Sequence, residues 1–211
     1  MFSDGTVYNE DYFEHGEEKG ISGYTNYRWI STRTLTTATS LIRRANINIT
    51  DTILDYGAAK GFLVKAFTWL GYDAYGVDIS EYALSHVDEE VKHRLFRPQE
   101  LPKKSYDVII CKDILEHIPY DDINEFLRNI FQLSNRMVIA IVPLGDGQGK
   151  YVIPKFENDI THIIREPKEW WLEQIINAGG VPTNYSDDVT DIKPNWNVPN
   201  GNLYVEIHRG N

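Results

Sequence analysis

The sequence predicts an α/β fold: a doubly wound, mostly parallel sheet with helices on both faces. Three observations predict it. From Thr52 onward, short β-branched runs alternate with stretches of helical periodicity, the order that parallel strands and their crossover helices leave in a chain. Two runs, Tyr106 to Cys111 and Met137 to Val142, are almost unbroken in apolar residues, as strands buried on both faces are. Finally, 211 residues with 42% hydrophobic, 12% aromatic and 25% charged side chains supply the core of one globular domain.

The elements follow in order. Ile30, Leu35, Ala38, Leu41, Ile42 and Ala45 recur at helical spacing ahead of the sheet and predict an amphipathic helix. Thr52 to Tyr56 is a strand, Gly57 to Gly61 a small-residue turn, and Phe62, Leu63, Ala66, Phe67 and Leu70 the buried stripe of a helix that Gly71 closes. Ala74 to Asp78 is a second strand, and Ser80 suits the cap of a helix through Glu81 to Leu84. Val91 to Phe96 is read as a third strand, Tyr106 to Cys111 as a fourth and Met137 to Val142 as a fifth. Between the last two, Asp121 or Asp122 caps a helix with Ile123, Phe126, Leu127, Ile130 and Phe131 on one side. Pro167 and Gly179-Gly180 bracket a further helix. Tyr185 to Ile192 and Leu203 to His208 then predict an antiparallel pair at the sheet edge. No internal repeat or long linker divides residues 1–211, so one domain is expected, with 1–48 as a preceding helical segment and 49–211 as the sheet.

Composition excludes several classes. The longest apolar run, Met137 to Val142, is far short of the roughly 20 residues of a membrane-spanning helix. With 21 Lys+Arg against 31 Asp+Glu and a net charge of −10, the surface should repel phosphate backbones, so nucleic acid is not an expected partner. The basic group Lys92, His93, Arg94, Arg97, Lys103 and Lys104 reads as a solvated rim. The start, Met1 to Gly5 and then Glu10, Asp11, Glu14, Glu17 and Glu18, lacks the basic-then-apolar pattern of a secretory signal. The single Cys111 cannot form an internal disulfide, and both features favour the cytoplasm.

In open α/β sheets the ligand lies beyond the carboxyl ends of the strands, where strand order reverses. There the chain carries Asp55-Tyr56-Gly57-Ala58-Ala59-Lys60-Gly61, with small residues for close backbone approach and a helix N-terminus whose N–H groups favour an anionic group. Asp78, ending the second strand, is placed to accept from two ribose hydroxyls. Four segments, Ile53 to Gly61, Gly76 to Ser80, Tyr106 to Ile110 and Leu115-Glu116-His117-Ile118-Pro119, resemble in order and spacing the class I S-adenosylmethionine-dependent methyltransferases, particularly small stand-alone members acting on metabolites.

The resemblance implies a Rossmann-like, seven-stranded sheet and S-adenosylmethionine as cofactor. It implies that Asp55, Gly57, Ala58, Ala59 and Gly61 lie against its methionine part, that Asp78 takes the ribose and that Ile79 covers the adenine. It also implies Gln99, Glu100 and Leu101 at the adenine edge, with Lys112 and Asp113 facing the sulfonium and the substrate. Two positions depart from the family pattern. Ala59 replaces the middle glycine of the turn, which a methyl group permits if φ there is not positive. Arg97 or Pro98 stands where an Asp is frequent, leaving Gln99 or a backbone carbonyl to meet the adenine.

Other residues keep two readings. Asp159-Ile160-Thr161-His162 resembles strings near the acceptor pocket of the family, so that His162 either takes a proton from an acceptor hydroxyl or only hydrogen-bonds its loop; an ionised Asp113 is the other candidate base. Tyr8, Tyr12, Phe13, Tyr24, Tyr27 and Trp29 either pack on the sheet or form a lid, with Tyr24, Tyr27 and Trp29 over the cofactor and Arg28 on its carboxylate. Lys60 reads as a solvated first-turn residue. His117 beside Glu116 reads equally as a packing residue, and no further ligand at metal-binding spacing is evident for this pair. A small polar acceptor is expected, with a hydroxylated, carbohydrate-like molecule as the candidate. The competing readings are a nicotinamide-dependent oxidoreductase, which Gly57-x-x-x-Gly61 fits poorly, and a binding protein without turnover.

Overall fold

The computed structural model describes residues 5–102, 105–196 and 198–210. Lys103 and Lys104 of the basic group, and the opening residues 1–4, lie outside them.

Seven strands form one sheet in the order β3-β2-β1-β4-β5-β7-β6. They are β1 (Thr52–Tyr56), β2 (Asp73–Val77), β3 (Leu95–Phe96), β4 (Tyr106–Lys112), β5 (Ser134–Pro143), β6 (Gly180–Ser186) and β7 (Asn202–Arg209). The first five pair in parallel; β7 runs antiparallel to β5 and to the edge strand β6. The helices are α1 (Glu10–Glu14), α2 (Gly16–Lys19), α3 (Ser31–Arg44), α4 (Phe62–Trp69), α5 (Glu81–Ser85), α6 (Ile123–Leu133) and α7 (Lys168–Asn177). Among the described residues no helix is long and apolar enough to cross a membrane.

Side-chain alternation along the central strands explains the layers. Ile53, Val108, Ile110, Ile139 and Ile141 pack with Leu41, Val64 and Phe67 of α3 and α4, whereas Leu54, Ile109, Cys111, Val138 and Ala140 pack with Ile123, Leu127, Trp171 and Ile175 of α6 and α7. Each buried strand therefore serves two cores, which is why its sequence is apolar without interruption. Ser80 caps α5 as expected, its hydroxyl accepting from Ala83 N–H at 2.9 Å. Asp122 occupies the N-cap of α6 without a side-chain cap bond.

The predicted third strand needs correction. Lys92–Arg94 form a 3-10 turn, and only Leu95 and Phe96 pair, with Gly76 and Val77. Charged side chains occupy Lys92 to Arg94, and Arg94 instead reaches Asp73 at 2.9 Å and the Ala74 carbonyl at 3.1 Å. Lys92 pairs with Glu89 and Arg97 with Glu81, so Lys92, Arg94 and Arg97 each have a local acidic partner. The first strand of the edge pair also shifts: it runs Gly180–Ser186 and not Tyr185 to Ile192.

Strand order reverses between β1 and β4. Their carboxyl ends, Tyr56 and Lys112, open the crevice that holds the site.

Candidate active site

Two adjoining cavities lie at this crevice, of about 350 and 570 Å³. They share Tyr12, Tyr24, Gly57, Ala59, Asp113 and His117. Asp78 and Ile79 line the smaller one; Asp55, Ala58, Tyr27, Arg28, Lys112 and His162 line the larger.

The turn after β1 is built by its own backbone. Gly57 has φ +84°, and a Cβ there would come within 2.8 Å of the Ile114 side chain. Gly61 lines neither cavity; it has φ +73°, caps α4 and sits so close to Leu95 that a Cβ would approach it to 2.9 Å. Its requirement is conformational and steric, not ligand approach. Ala59 is the further correction: its φ is +48°, so the methyl group is carried in the left-handed region at a cost of about 1–2 kcal/mol. The expected anion-binding N–H groups are also largely committed. Gly57 and Ala58 donate to the Val77 carbonyl at 2.8 and 3.0 Å, Gly61 to Ala58 at 2.8 Å, and Ala59 to Asp78 Oδ2 at 2.7 Å.

Asp78 is thereby oriented. Ser80 N–H donates to its other oxygen at 2.8 Å, leaving the remaining lone pairs for hydroxyl groups within the cavity. Burial raises its carboxyl, and these backbone donors partly oppose the shift. Burial pushes Asp55 up further, to about 7, against the nearby Lys112. Pro98 lines the smaller cavity, and the expected segment Gln99 to Leu101 does not. Gln99 and Glu100 are exposed, Glu100 is spent on the Arg97 N–H at 3.2 Å, and Leu101 packs on the α6 side of the core. The tight 3-10 turn at Pro98–Glu100 rotates those side chains away from the crevice.

Asp113 follows β4 with φ +55°. Lys112 Nζ pairs with one carboxylate oxygen and Lys193 Nζ with the other at 2.6 Å. Burial alone would raise this carboxyl, but the two ammonium groups hold it well below the usual range. Such a doubly paired carboxylate is a poor base. Lys193 also donates to Asn202 Oδ1 at 2.8 Å. Nothing in the neighbours of Lys193 in the sequence signals this role; β7 and the preceding turn bring it in.

The loop after β5 docks on the turn after β4 through backbone bonds: Ile163 and Ile164 N–H donate to the Glu116 carbonyl at 2.8 and 3.0 Å. This places His162 beside Glu116 and His117. His162 Nδ1–H donates to the Phe156 carbonyl at 2.8 Å, which leaves the lone pair on Nε2. Thr161 donates its hydroxyl to Asp159 at 2.5 Å and so accepts from His117 Nδ1–H at 2.9 Å; His117 also keeps its Nε2 lone pair. Burial holds both imidazoles neutral, pulling His117 down to about 4 and lowering His162. Glu116, 1% exposed, has no hydrogen-bond partner for either carboxylate oxygen, and burial followed by the charge of Asp113 raises it well above the carboxylate range. The Glu116–His117 pair thus does gain a third potential ligand, which linear spacing could not reveal.

Residues 5–27 cover both cavities. Lys60, 8% exposed, is no solvated residue: Nζ binds Glu14 at 2.5 Å and the Tyr27 carbonyl at 2.9 Å. Tyr12 donates to Asp159 at 2.6 Å, Ser80 to the Tyr8 carbonyl at 2.5 Å, and Ile160 N–H to Ile21 at 3.1 Å. Tyr8, Tyr12, Phe13, Tyr24 and Tyr27 therefore line the cavities, where a lid would lie. Trp29 does not; it packs against Phe62 and Trp69.

A family profile described as "Methyltransferase domain" matches residues 26–182. The chain belongs to that family. Its fold is the class I S-adenosylmethionine-dependent methyltransferase fold, which sets aside the nicotinamide-dependent alternative. The magnesium protoporphyrin IX methyltransferase of Synechocystis, solved with S-adenosylhomocysteine, is similar at TM-score 0.65 and 16% identity over 97% of this chain and 99% of that one. The 1,6-didemethyltoxoflavin-N1-methyltransferase of Burkholderia thailandensis is similar at TM-score 0.62 and 16% identity, covering 86% and 80%. A ubiquinone biosynthesis O-methyltransferase of Rickettsia bellii is 26% identical over 173 residues, 75% of this chain and 63% of that protein. The chain thus spans less than two thirds of that relative's length.

Proposed function

We propose that this methyltransferase transfers the methyl group of S-adenosylmethionine to a hydroxyl oxygen of a small polar acceptor. The observation that carries the reading is the junction of the two cavities: an oriented ribose-type carboxylate, Asp78, lines one, and an unprotonated imidazole nitrogen, His162 Nε2, lines the other. The O-methyltransferase named among the relatives supports oxygen as the acceptor atom, and the acids, bases and amides of the larger cavity support a hydroxylated, carbohydrate-like molecule.

When bound, the cofactor supplies an electrophilic methyl group on a sulfonium. The chain's part is to hold its adenosine end with Asp78 and Ile79, keep Gly57 open for close approach, and present Tyr27, Arg28, Asp55 and Lys112 to the methionine end. The tyrosines of the lid exclude water and turn ring faces toward the cation. His162 Nε2 accepts the acceptor's proton, so that the oxygen lone pair forms the C–O bond as the C–S bond breaks and its electron pair passes to sulfur. Asp113 stays paired with its two lysines and fixes the floor of the junction.

Calorimetry with S-adenosylhomocysteine tests the cofactor half. Binding should be lost or weakened at least tenfold in Asp78→Ala, and no heat in the native protein would overturn the reading. For the acceptor half, His162→Ala should lower turnover on hydroxylated acceptors while leaving cofactor affinity within about twofold. Cofactor binding with no methylation of any hydroxylated, amino or carboxylated molecule would instead mark a protein without turnover.

A further inference from the structure

The wall of the larger cavity carries more lone pairs than one proton transfer uses. The donor atoms of Glu116, His117 and His162 all lie within 4.8 Å of one another, and all three residues line the cavity. We propose that Glu116, His117 and His162 form a binding site for one divalent first-row transition-metal ion, of the zinc type, with an open coordination position toward the acceptor.

Four features support it. The orientation of both rings is determined by what their other nitrogen does: His162 Nδ1–H is held by the Phe156 carbonyl, and His117 Nδ1–H by Thr161, itself braced on Asp159. That outer arrangement is the one that fixes the tautomer of metal-ligating histidines. Glu116 is a buried carboxyl with both oxygens unpartnered, a costly state that needs a compensating group. The spacing is workable, because ligands about 2.0–2.1 Å from a tetrahedral ion stand roughly 3.3 Å apart. Glu116 Oε1 and His162 Nε2 are 3.9 Å apart and no pair of the three exceeds 4.8 Å, so binding an ion draws the side chains together by up to about 1.5 Å. Two imidazoles and one carboxylate, with the fourth position facing a cavity, suit zinc, cobalt or iron(II) better than magnesium.

The inference rests on the proposed function only in seating the acceptor against this wall. In the metal-free protein His162 takes the acceptor's proton. With the ion bound, the Nε2 lone pair would be committed to the metal, and the ion would acidify an acceptor hydroxyl at the open position, whose proton would pass to water as the acceptor enters and before the site is closed to solvent. Oxygen remains the atom that takes the methyl group, and the C–S bond breaks as before.

The test is direct metal binding to chelator-treated protein, without cofactor or acceptor. Zinc titrated by calorimetry should bind at one ion per chain, and cobalt(II) should show the visible absorption of a tetrahedral site. His162→Ala and the isosteric Glu116→Gln should each weaken zinc at least tenfold, with folding checked by circular dichroism. Magnesium should bind much more weakly. Absence of stoichiometric zinc binding, or equal binding by native protein and both variants, overturns the metal site. Binding of S-adenosylhomocysteine is read separately, so failure of the methyltransferase reading shows there and not in the zinc titration.

Discussion

Ala59 donates its N–H to Asp78 from a left-handed backbone, φ +48°. An alanine pays for that conformation, whereas glycine does not, although glycine surrenders more freedom on folding. Ala59→Gly should therefore raise unfolding free energy by about 0.5–1 kcal/mol, seen as a melting temperature about 1–4 °C higher, without loosening Asp78. An unchanged or lower melting temperature would show that the methyl group earns its place through packing. The residue types at Asp55, Gly57 and Asp78 were legible in the sequence because each needs a chemical property at a strand end. The backbone angle at Ala59 was not, since φ is decided by where Asp78 and Val77 draw the turn's N–H groups. Lys60 misled for a similar reason: its partners, Glu14 and Tyr27, belong to a distant segment.

The lid is fastened by specific polar contacts. Tyr12 to Asp159, Lys60 to Glu14, and Ser80 to Tyr8 join it to three different parts of the chain. Removing the Tyr12 hydroxyl takes away a buried bond to a carboxylate, typically about 1.5–3 kcal/mol. Tyr12→Phe should accelerate amide hydrogen exchange across residues 5–27 while β4 and β5 keep their protection, because local opening is decoupled from the central sheet. Uniform acceleration over the whole chain would mean that the lid is part of the global core. Strands β1, β4 and β5 and helices α4 and α6 were readable from periodicity. The pairing of β3 was not, because two residues carry too little pattern and the charged turn at Lys92–Arg94 imitates an extended run.

For the molecule as a whole, the buried Asp55 ties stability to pH. Its carboxyl is raised from 3.8 to about 7, so the folded chain binds this proton more tightly than the unfolded chain does. The resulting stabilisation is complete below the unfolded value and disappears as pH rises through about 7; its upper bound is about 4 kcal/mol. Asp55→Asn, which stays neutral, should gain stability relative to the native protein as urea unfolding is repeated from about pH 4 to about pH 8. A difference that does not vary with pH would place the Asp55 carboxyl near its ordinary value. The same topology that buries Asp55 lets each central strand serve two cores, and it sets the carboxyl ends of β1 and β4 side by side.

By itself the sequence determined the class of fold, the turn and carboxylates at the strand ends, and the family to which the chain belongs. These depend on local periodicity and on residue types at short spacings. Only the tertiary structure decided that Lys193 clamps Asp113, that residues 5–27 are fastened beside the cavities through Tyr12 and Lys60, and that His162 meets Glu116 and His117. Those contacts join segments far apart in the chain, through backbone hydrogen bonds and turn angles that no spacing along the sequence encodes.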